Sequence, residues 1–183
     1  MKTDYVALYL LHWKGGIPIE ETIEAMEKAR IQGKIKAWGV SNFDVNDMLK
    51  LLKLPKGHCC AANQVRYNLG DRGIDFDLVP TMKEKNIPLM AYAPVARGDR
   101  LGTALTKQKV LLDISKKHHA DVFQILLAWC IRNEHTIAIP KSSNSEHVIN
   151  NVKAADIQLT KEDLVKIDSV YPEPIVSEPL ALW

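Results

Sequence analysis

Two hydrophobic periods alternate along this chain. Short unbroken apolar runs suit strands buried on both faces. Between them lie longer stretches whose apolar residues fall on one helical face. The first run, residues 5–11, predicts a buried parallel strand. Residues 19–32 predict an amphipathic helix, with Ile23, Met26 and Ile31 among its apolar positions, Pro18 near its start and Gly33 as its stop. Residues 35–40 predict a second strand, and 44–54 a helix ended by Pro55. A third strand follows at 59–65. The helix predicted at 76–85 has Leu78, Val79 and Met82 on one face and Pro80 early enough to be tolerated in the first turn. Residues 88–92 predict a fourth strand, 109–118 and 121–133 two helices, 136–139 a fifth strand, and 145–154 and 160–169 two more helices. From Tyr171 onward, Pro172, Pro174 and Pro179 predict an irregular arm over 171–183.

Strict strand–helix alternation predicts an α/β fold with a parallel sheet covered by helices. An open doubly wound sheet should carry G-x-G-x-x-G after its first strand. Here His12-Trp13-Lys14-Gly15-Gly16 stands there instead. A (β/α)8 TIM barrel places functional residues at the carboxyl ends of many strands, and this chain has candidates at all five. Such a barrel uses about 31 residues per unit, so 183 residues accommodate five βα units and not eight. The expectation is one domain over 1–183, a partial (β/α)8 barrel of about five units with three units missing.

Composition narrows the function classes. Hydrophobic residues make up 46% and charged residues 25%, ordinary for a soluble globular domain. The net charge of +2 comes from interspersed signs, which gives no argument for a nucleic acid or a membrane surface as partner. Three cysteines, two of them the adjacent Cys59 and Cys60, make a poor disulfide framework and point to a cytoplasmic home. No apolar run is long enough to span a bilayer. The first is also a poor signal peptide, since Asp4 interrupts the basic start and no small-residue cleavage site follows.

Each strand end has a functional and a plain reading. His12 follows the first strand; a lone histidine is more often structural, and its position at a strand end argues the other way. Ser41 and Asn42 could serve a ligand or simply cap the next helix. Asn63 and Gln64, in an apolar strand, need hydrogen-bond partners, from a ligand amide or from a network within the barrel. Tyr92 could stack on a flat ring or belong to the core. Lys141, Ser142, Ser143 and Asn144 precede a helix N-terminus, where backbone N–H groups and the dipole favour an anion. Phosphate binding and capping weigh about equally there.

Taken together, D-Y-V-A-L-Y-L-L-H-W, G-K-I-K-A-W-G-V-S-N-F, N-Q-V-R-Y-N, D-L-V-P, I-P-L-M-A-Y-A-P-V and I-P-K-S-S-N, in this order and spacing, resemble the aldo-keto reductase family along essentially the whole chain. Y-P-E-P and the ending P-L-A-L-W are most similar to its bacterial methylglyoxal-reductase-like members. The resemblance implies a barrel that reduces aldehydes and ketones with NADPH (NADP), without metal. It implies that His12 orients the substrate carbonyl and that Trp13 lines the substrate pocket. Ser41, Asn42 and Gln64 match residues holding the nicotinamide carboxamide, and Tyr92 the residue stacked on its ring. Ala93 and Val95 match positions along the pyrophosphate loop. Lys141 and Ser142 match the clamp on the 2′-phosphate, Ser143 and Asn144 continue that loop, and Asn151 matches an adenine contact.

Two departures bear on cofactor choice. His147 stands where the family often has Arg, and Asn150 where it often has Glu. A neutral imidazole is a weaker phosphate partner than a bidentate guanidinium, so NADH is a possible cofactor beside NADPH. A larger departure concerns catalysis. The family's catalytic Asp, Tyr and Lys belong to units that these 183 residues do not contain, so the expectation is a chain inactive alone. The alternatives are a non-catalytic partial barrel that binds a dinucleotide or a partner chain and, less fitting, an unrelated barrel enzyme such as an aldolase using Lys141. An open barrel edge exposes unpaired strand groups, so self-association or pairing with a missing N-terminal chain is also expected.

Overall fold

The computed structural model describes residues 2–96 and 105–182. Five strands form one sheet: β1 (Val6–Leu11), β2 (Ile35–Ser41), β3 (Cys60–Arg66), β4 (Leu89–Tyr92) and β5 (Thr136–Ala138). Every neighbouring pair is parallel, and the spatial order is the chain order. A doubly wound sheet reverses its strand order partway; this one never does. Right-handed crossovers repeated in one direction place their helices on the same face, which is the winding of a barrel wall. The helices are α1 (Ile19–Ile31), α2 (Val45–Lys53), α3 (Leu78–Glu84), α4 (Lys109–Lys117), α5 (Val122–Ile131), α6 (Ser145–Lys153) and α7 (Lys161–Val170). No described helix is long and apolar enough to cross a membrane.

Local chemistry sets the boundaries. Capping boxes start α2 (Asp44 with Asp47), α5 (Asp121 with Gln124) and α7 (Thr160 with Asp163), each satisfying N–H groups that a helix start leaves open. Gly33 ends α1 in the left-handed region at φ 72°, which a side chain would resist. Gly39 lies where β2 and β3 shift register; a Cβ there would sit 2.4 Å from the Ala62 carbonyl oxygen. Only glycine permits that approach.

Core burial follows the helical faces. Met48 and Leu51 of α2, Leu78 and Met82 of α3 and Leu111 and Ile114 of α4 are buried against Trp38, Val65 and Leu89 of the sheet. Helix α5 is apolar nearly all round, as a helix buried on most sides must be. By contrast α6 has no buried residue and exposes Val148, Ile149 and Val152. The expectation that the first strand is buried on both faces is corrected: Tyr5 and Tyr9 are 44% and 56% exposed. The reason is position, because β1 and β5 are the two edges of the sheet. Both edge strands thus expose apolar side chains, Tyr9 on β1 and Ile137 on β5.

One carboxylate is buried beneath this wall. Glu27 of α1 accepts two hydrogen bonds from Arg30, at 2.9 and 2.8 Å, and a third from Trp38 Nε1 at 2.7 Å. The Arg30 guanidinium holds its carboxyl down at about 2 against the opposing effect of burial, and the Trp38 bond assists. A depressed carboxylate contributes stability above its unfolded value and loses it as pH falls through the folded one. Stability should therefore decline between about pH 4.5 and 2. Glu27→Gln should cost about 1–3 kcal/mol at neutral pH and flatten that decline. Urea midpoints measured across this range test both; equal acid sensitivity in the variant would refute the assignment.

Candidate active site at the strand carboxyl ends

Parallel pairing brings the strand ends to one rim. Ser41 is in register with Gln64, and Arg66 with Tyr92. A connected polar chain runs across this rim. Ser41 Oγ donates to the Gln64 carbonyl at 2.8 Å, and Asn42 N–H donates to the same oxygen at 2.9 Å. Asn42 Nδ2 donates to the His12 carbonyl at 3.2 Å and to Ser41 Oγ at 3.1 Å. Its Oδ1 accepts from the Tyr92 hydroxyl at 3.2 Å. Four of the five strand ends thus meet at Asn42, whose side chain bonds His12, Ser41 and Tyr92 and whose backbone N–H bonds Gln64. Its backbone is left-handed, at φ 59°, a conformation asparagine tolerates better than most residues.

The plain reading of Ser41 and Asn42 as helix caps does not hold, because Asp44 caps α2. Both side chains instead join the rim network. Gln64 is half-buried, and its amide has no hydrogen-bond partner among the described residues. Burial pushes the Tyr92 hydroxyl up, partly countered by the Arg66 guanidinium. The His12 ring is exposed and tilted against Trp13, with ring centres 5.5 Å apart. Lys14 extends from the same loop to Asp47 and over the Phe43 ring.

A second cluster surrounds the α6 N-terminus. Lys141, Ser142, His147 and Asn151 line a cavity of about 450 Å³ with Val95, Phe123 and Asn150; Asp121 and Glu146 add acidic groups to its wall. The Asn144 side chain accepts from Glu146 N–H at 2.9 Å and so caps α6. For that residue capping is the role observed. Ser142 Oγ accepts from Asn144 N–H at 3.1 Å, and Ser143 lies outside the cavity lining. The two clusters are joined by the turn after β4. Tyr92 belongs to the first and Val95 to the second, while Ala93, left-handed at φ 50°, is held by Asn68 Nδ2 on its carbonyl.

Arg66, Asn68 and Asp71 are rim residues that strand-end reasoning passed over. Arg66 Nε donates to Asp71 at 2.7 Å, and Asn68 donates to the same carboxylate at 2.9 Å. All three stand in or just after the N-Q-V-R-Y-N run, whose mix of amide and guanidinium groups in an apolar strand was the available signal. Cys60 and Cys130 are buried, and burial pushes their thiols up to about 11 and about 12, so neither is a nucleophile at neutral pH. Among the described residues no group of His, Cys, Asp and Glu could hold a metal ion.

Comparison with known proteins places this geometry. Residues 1–172 match the aldo/keto reductase family. The chain is 45% identical over 174 residues to methylglyoxal reductase YeaE of Escherichia coli strain K12, covering 95% of this chain and 61% of that protein. It is 35% identical over 170 residues to glyoxal reductase of Bacillus subtilis strain 168, covering 93% and 58%. Among solved structures, an aldo-keto reductase from Klebsiella pneumoniae in complex with NADPH superposes with a TM-score of 0.96 at 44% identity, covering 100% of this chain and 64% of that one. The chain thus spans about three-fifths of the length of these relatives.

Two substitutions separate the backbone and side-chain contributions of Asn42. Asn42→Gly keeps the left-handed backbone but removes three hydrogen bonds, and should cost about 1–2 kcal/mol. Asn42→Val removes the bonds and also strains the backbone, and should cost about 1–3 kcal/mol more. Chemical denaturation of the pair measures the gap; indistinguishable midpoints would remove the conformational argument.

Proposed function

The chain belongs to the aldo/keto reductase family, and from that membership we propose that it carries the cofactor-holding side of an NADPH-dependent carbonyl reductase. The observation that supports this best is the junction of two clusters through one turn: amides and a hydroxyl at the strand rim, a lysine-bearing cavity at α6, and Tyr92–Val95 between them. A dinucleotide has that outline, an amide-bearing ring at one end and a phosphorylated nucleoside at the other. The donor set also fits. The Gln64 amide and the Lys141 ammonium have no hydrogen-bond partner among the described residues. Asn42 and Ser41 can exchange internal bonds for a carboxamide that offers two donors and an acceptor.

NADPH, when bound, supplies the hydride. The residues of this chain do the rest of the positioning. Ser41, Asn42 and Gln64 fix the orientation of the carboxamide, and hence which ring face looks toward the substrate. Tyr92 offers its flat face to that ring. Lys141, Ser142 and His147 receive the 2′-phosphate, with Asn151 beside the adenine, and Ala93 and Val95 follow the pyrophosphate. His12 can donate an imidazole N–H to a substrate carbonyl oxygen, which orients that oxygen and draws electron density toward it. Trp13 borders the same opening. The substrate class is small aldehydes and ketones, methylglyoxal among them, in a cytoplasmic setting that suits three unpaired thiols.

The five units correspond in this reading to strands 4–8 of a (β/α)8 barrel, the whole forming one domain whose arm starts at 171. The Asp, Tyr and Lys implied by the family resemblance lie in the first three units, outside these 183 residues. The open edges of β1 and β5 would receive them, from a preceding segment, a partner chain or a second copy. Without a proton donor beside His12, binding and turnover separate.

Two outcomes are expected. The purified 183-residue chain should quench and shift NADPH fluorescence yet reduce methylglyoxal at least about 10²–10⁴-fold more slowly than a reductase with its acid in place. Robust NADPH consumption by the single chain would falsify this. Lys141→Ala should weaken NADPH binding by roughly tenfold and leave NADH nearly unchanged. An equal loss for both cofactors would move the phosphate site elsewhere.

A further inference from the structure

Beyond the cofactor clusters, the C-terminal arm is fastened to the segment between β3 and α3 at four successive points. Arg72, with an 8% exposed side chain, donates to the Tyr171 carbonyl and to Asp168 at 2.8 Å, and reaches Glu173 at 3.4 Å. Its Nε donates to Asp75 at 3.0 Å, so the guanidinium is anchored on its own side first. Next, Gly73 lies against Glu178; a Cβ on Gly73 would come within 2.6 Å of that carboxylate and 3.0 Å of the Glu178 Cβ. Ser177 Oγ donates to Asp77. Finally Arg66 Nη1 donates to the Leu182 carbonyl at 3.3 Å. The arm has no helix or strand through residues 171–182 to hold its course. Its path is set by the dock, and a cavity of about 310 Å³ remains between the two.

The end of this strap lies on the proposed site. Arg66 is the register partner of Tyr92 and stands two residues beyond Gln64 on the same strand face. We propose that Arg72 is a positioning residue whose hold on the arm base keeps residues 180–182 seated at Arg66, closing the β3–β4 side of the rim. That this rim is a ligand site rests on the reading of the preceding subsection; the seating of the arm does not. Two features argue for a dock and not for incidental contact. Charge-assisted guanidinium bonds are the stronger class of hydrogen bond, and here one buried Arg side chain gathers acceptors from three positions of the distant C-terminal segment. Gly73 meanwhile provides the side-chain-free surface against which Glu178 lies.

Phenylglyoxal, which modifies accessible guanidinium groups, reads the seating directly. Arg66, buried beneath the arm's end, should label slowly in the unsubstituted chain. Arg72→Gln removes the anchor; Gly73→Leu fills the contact while leaving every charge in place, and serves if the first variant fails to fold. In either variant Arg66 labelling, followed by peptide mass spectrometry, should rise roughly tenfold, the scale of one lost charge-assisted anchor. Arg132, held by the Tyr67 hydroxyl and Asp75, should keep the labelling rate it has in the unsubstituted chain. Unchanged Arg66 labelling in a folded variant overturns the proposal, as does a parallel rise at Arg132, which would mean general loosening. NADPH titration of the unsubstituted chain reports separately on the cofactor reading, since failure to bind would remove that reading without touching the labelling result.

Discussion

Everything that could act in this molecule depends on one constraint, the consecutive parallel pairing of five strands. Parallel pairing brings the carboxyl ends of all the strands to the same side. Residues 23 to 80 positions apart, such as His12, Ser41, Gln64 and Tyr92, become neighbours for that reason alone. No long side chain has to reach across. The polar links at the rim are short ones, made by Ser41 and Asn42, because the backbone already supplies the proximity.

The rim is held at a fixed height by buried charge. Asp75 accepts from the Tyr67 hydroxyl, from Arg72 and from Arg132, so β3, the turn at Gly73–Asp75 and α5 converge on one carboxylate. Burial pushes the Tyr67 hydroxyl far up and keeps it a hydrogen-bond donor. Trp129 packs against both guanidiniums, whose carbons are 5.1 and 3.9 Å from its ring centre. Removing one member of such a group leaves another buried charge without its partner, which costs more than the missing bond. The network therefore specifies the arrangement of these elements more than it adds net stability. It also extends the rim to the arm, since Arg72 belongs to both.

Much of this was legible from the residue pattern. The unbroken apolar runs gave all five strands to within a residue or two, and Gly33 and Pro55 marked the ends of two helices, because those signals act over single turns. Edge burial was not legible. Tyr5–Leu11 has the composition of an inner strand, and only the sheet order reveals that nothing covers its outer side. At the site, the residue types announced polar groups in an apolar frame, but not how they are used. Whether Asn144 caps a helix or meets a phosphate is decided by the direction of one side chain, and composition does not encode that. The arm dock was hidden for another reason. Its partners are 96 to 116 residues apart and follow no repeating spacing.

The rim's internal bonding bears on what it can bind. Asn42 spends its side chain on His12, Ser41 and Tyr92, so a ligand amide entering there exchanges hydrogen bonds and does not simply add them. Such an exchange is nearly neutral in free energy, and affinity must come from elsewhere. The α6 cavity is the place for it, because Lys141 and His147 have no hydrogen-bond partner among the described residues to give up. On the proposed reading, the phosphate end of a dinucleotide would provide the hold and the amide end the orientation. The arrangement also protects the rim itself. With the side chains of Ser41, Asn42 and Tyr92 bonded among themselves, these strand ends keep their geometry before any ligand arrives, and less conformational entropy remains to be lost on binding.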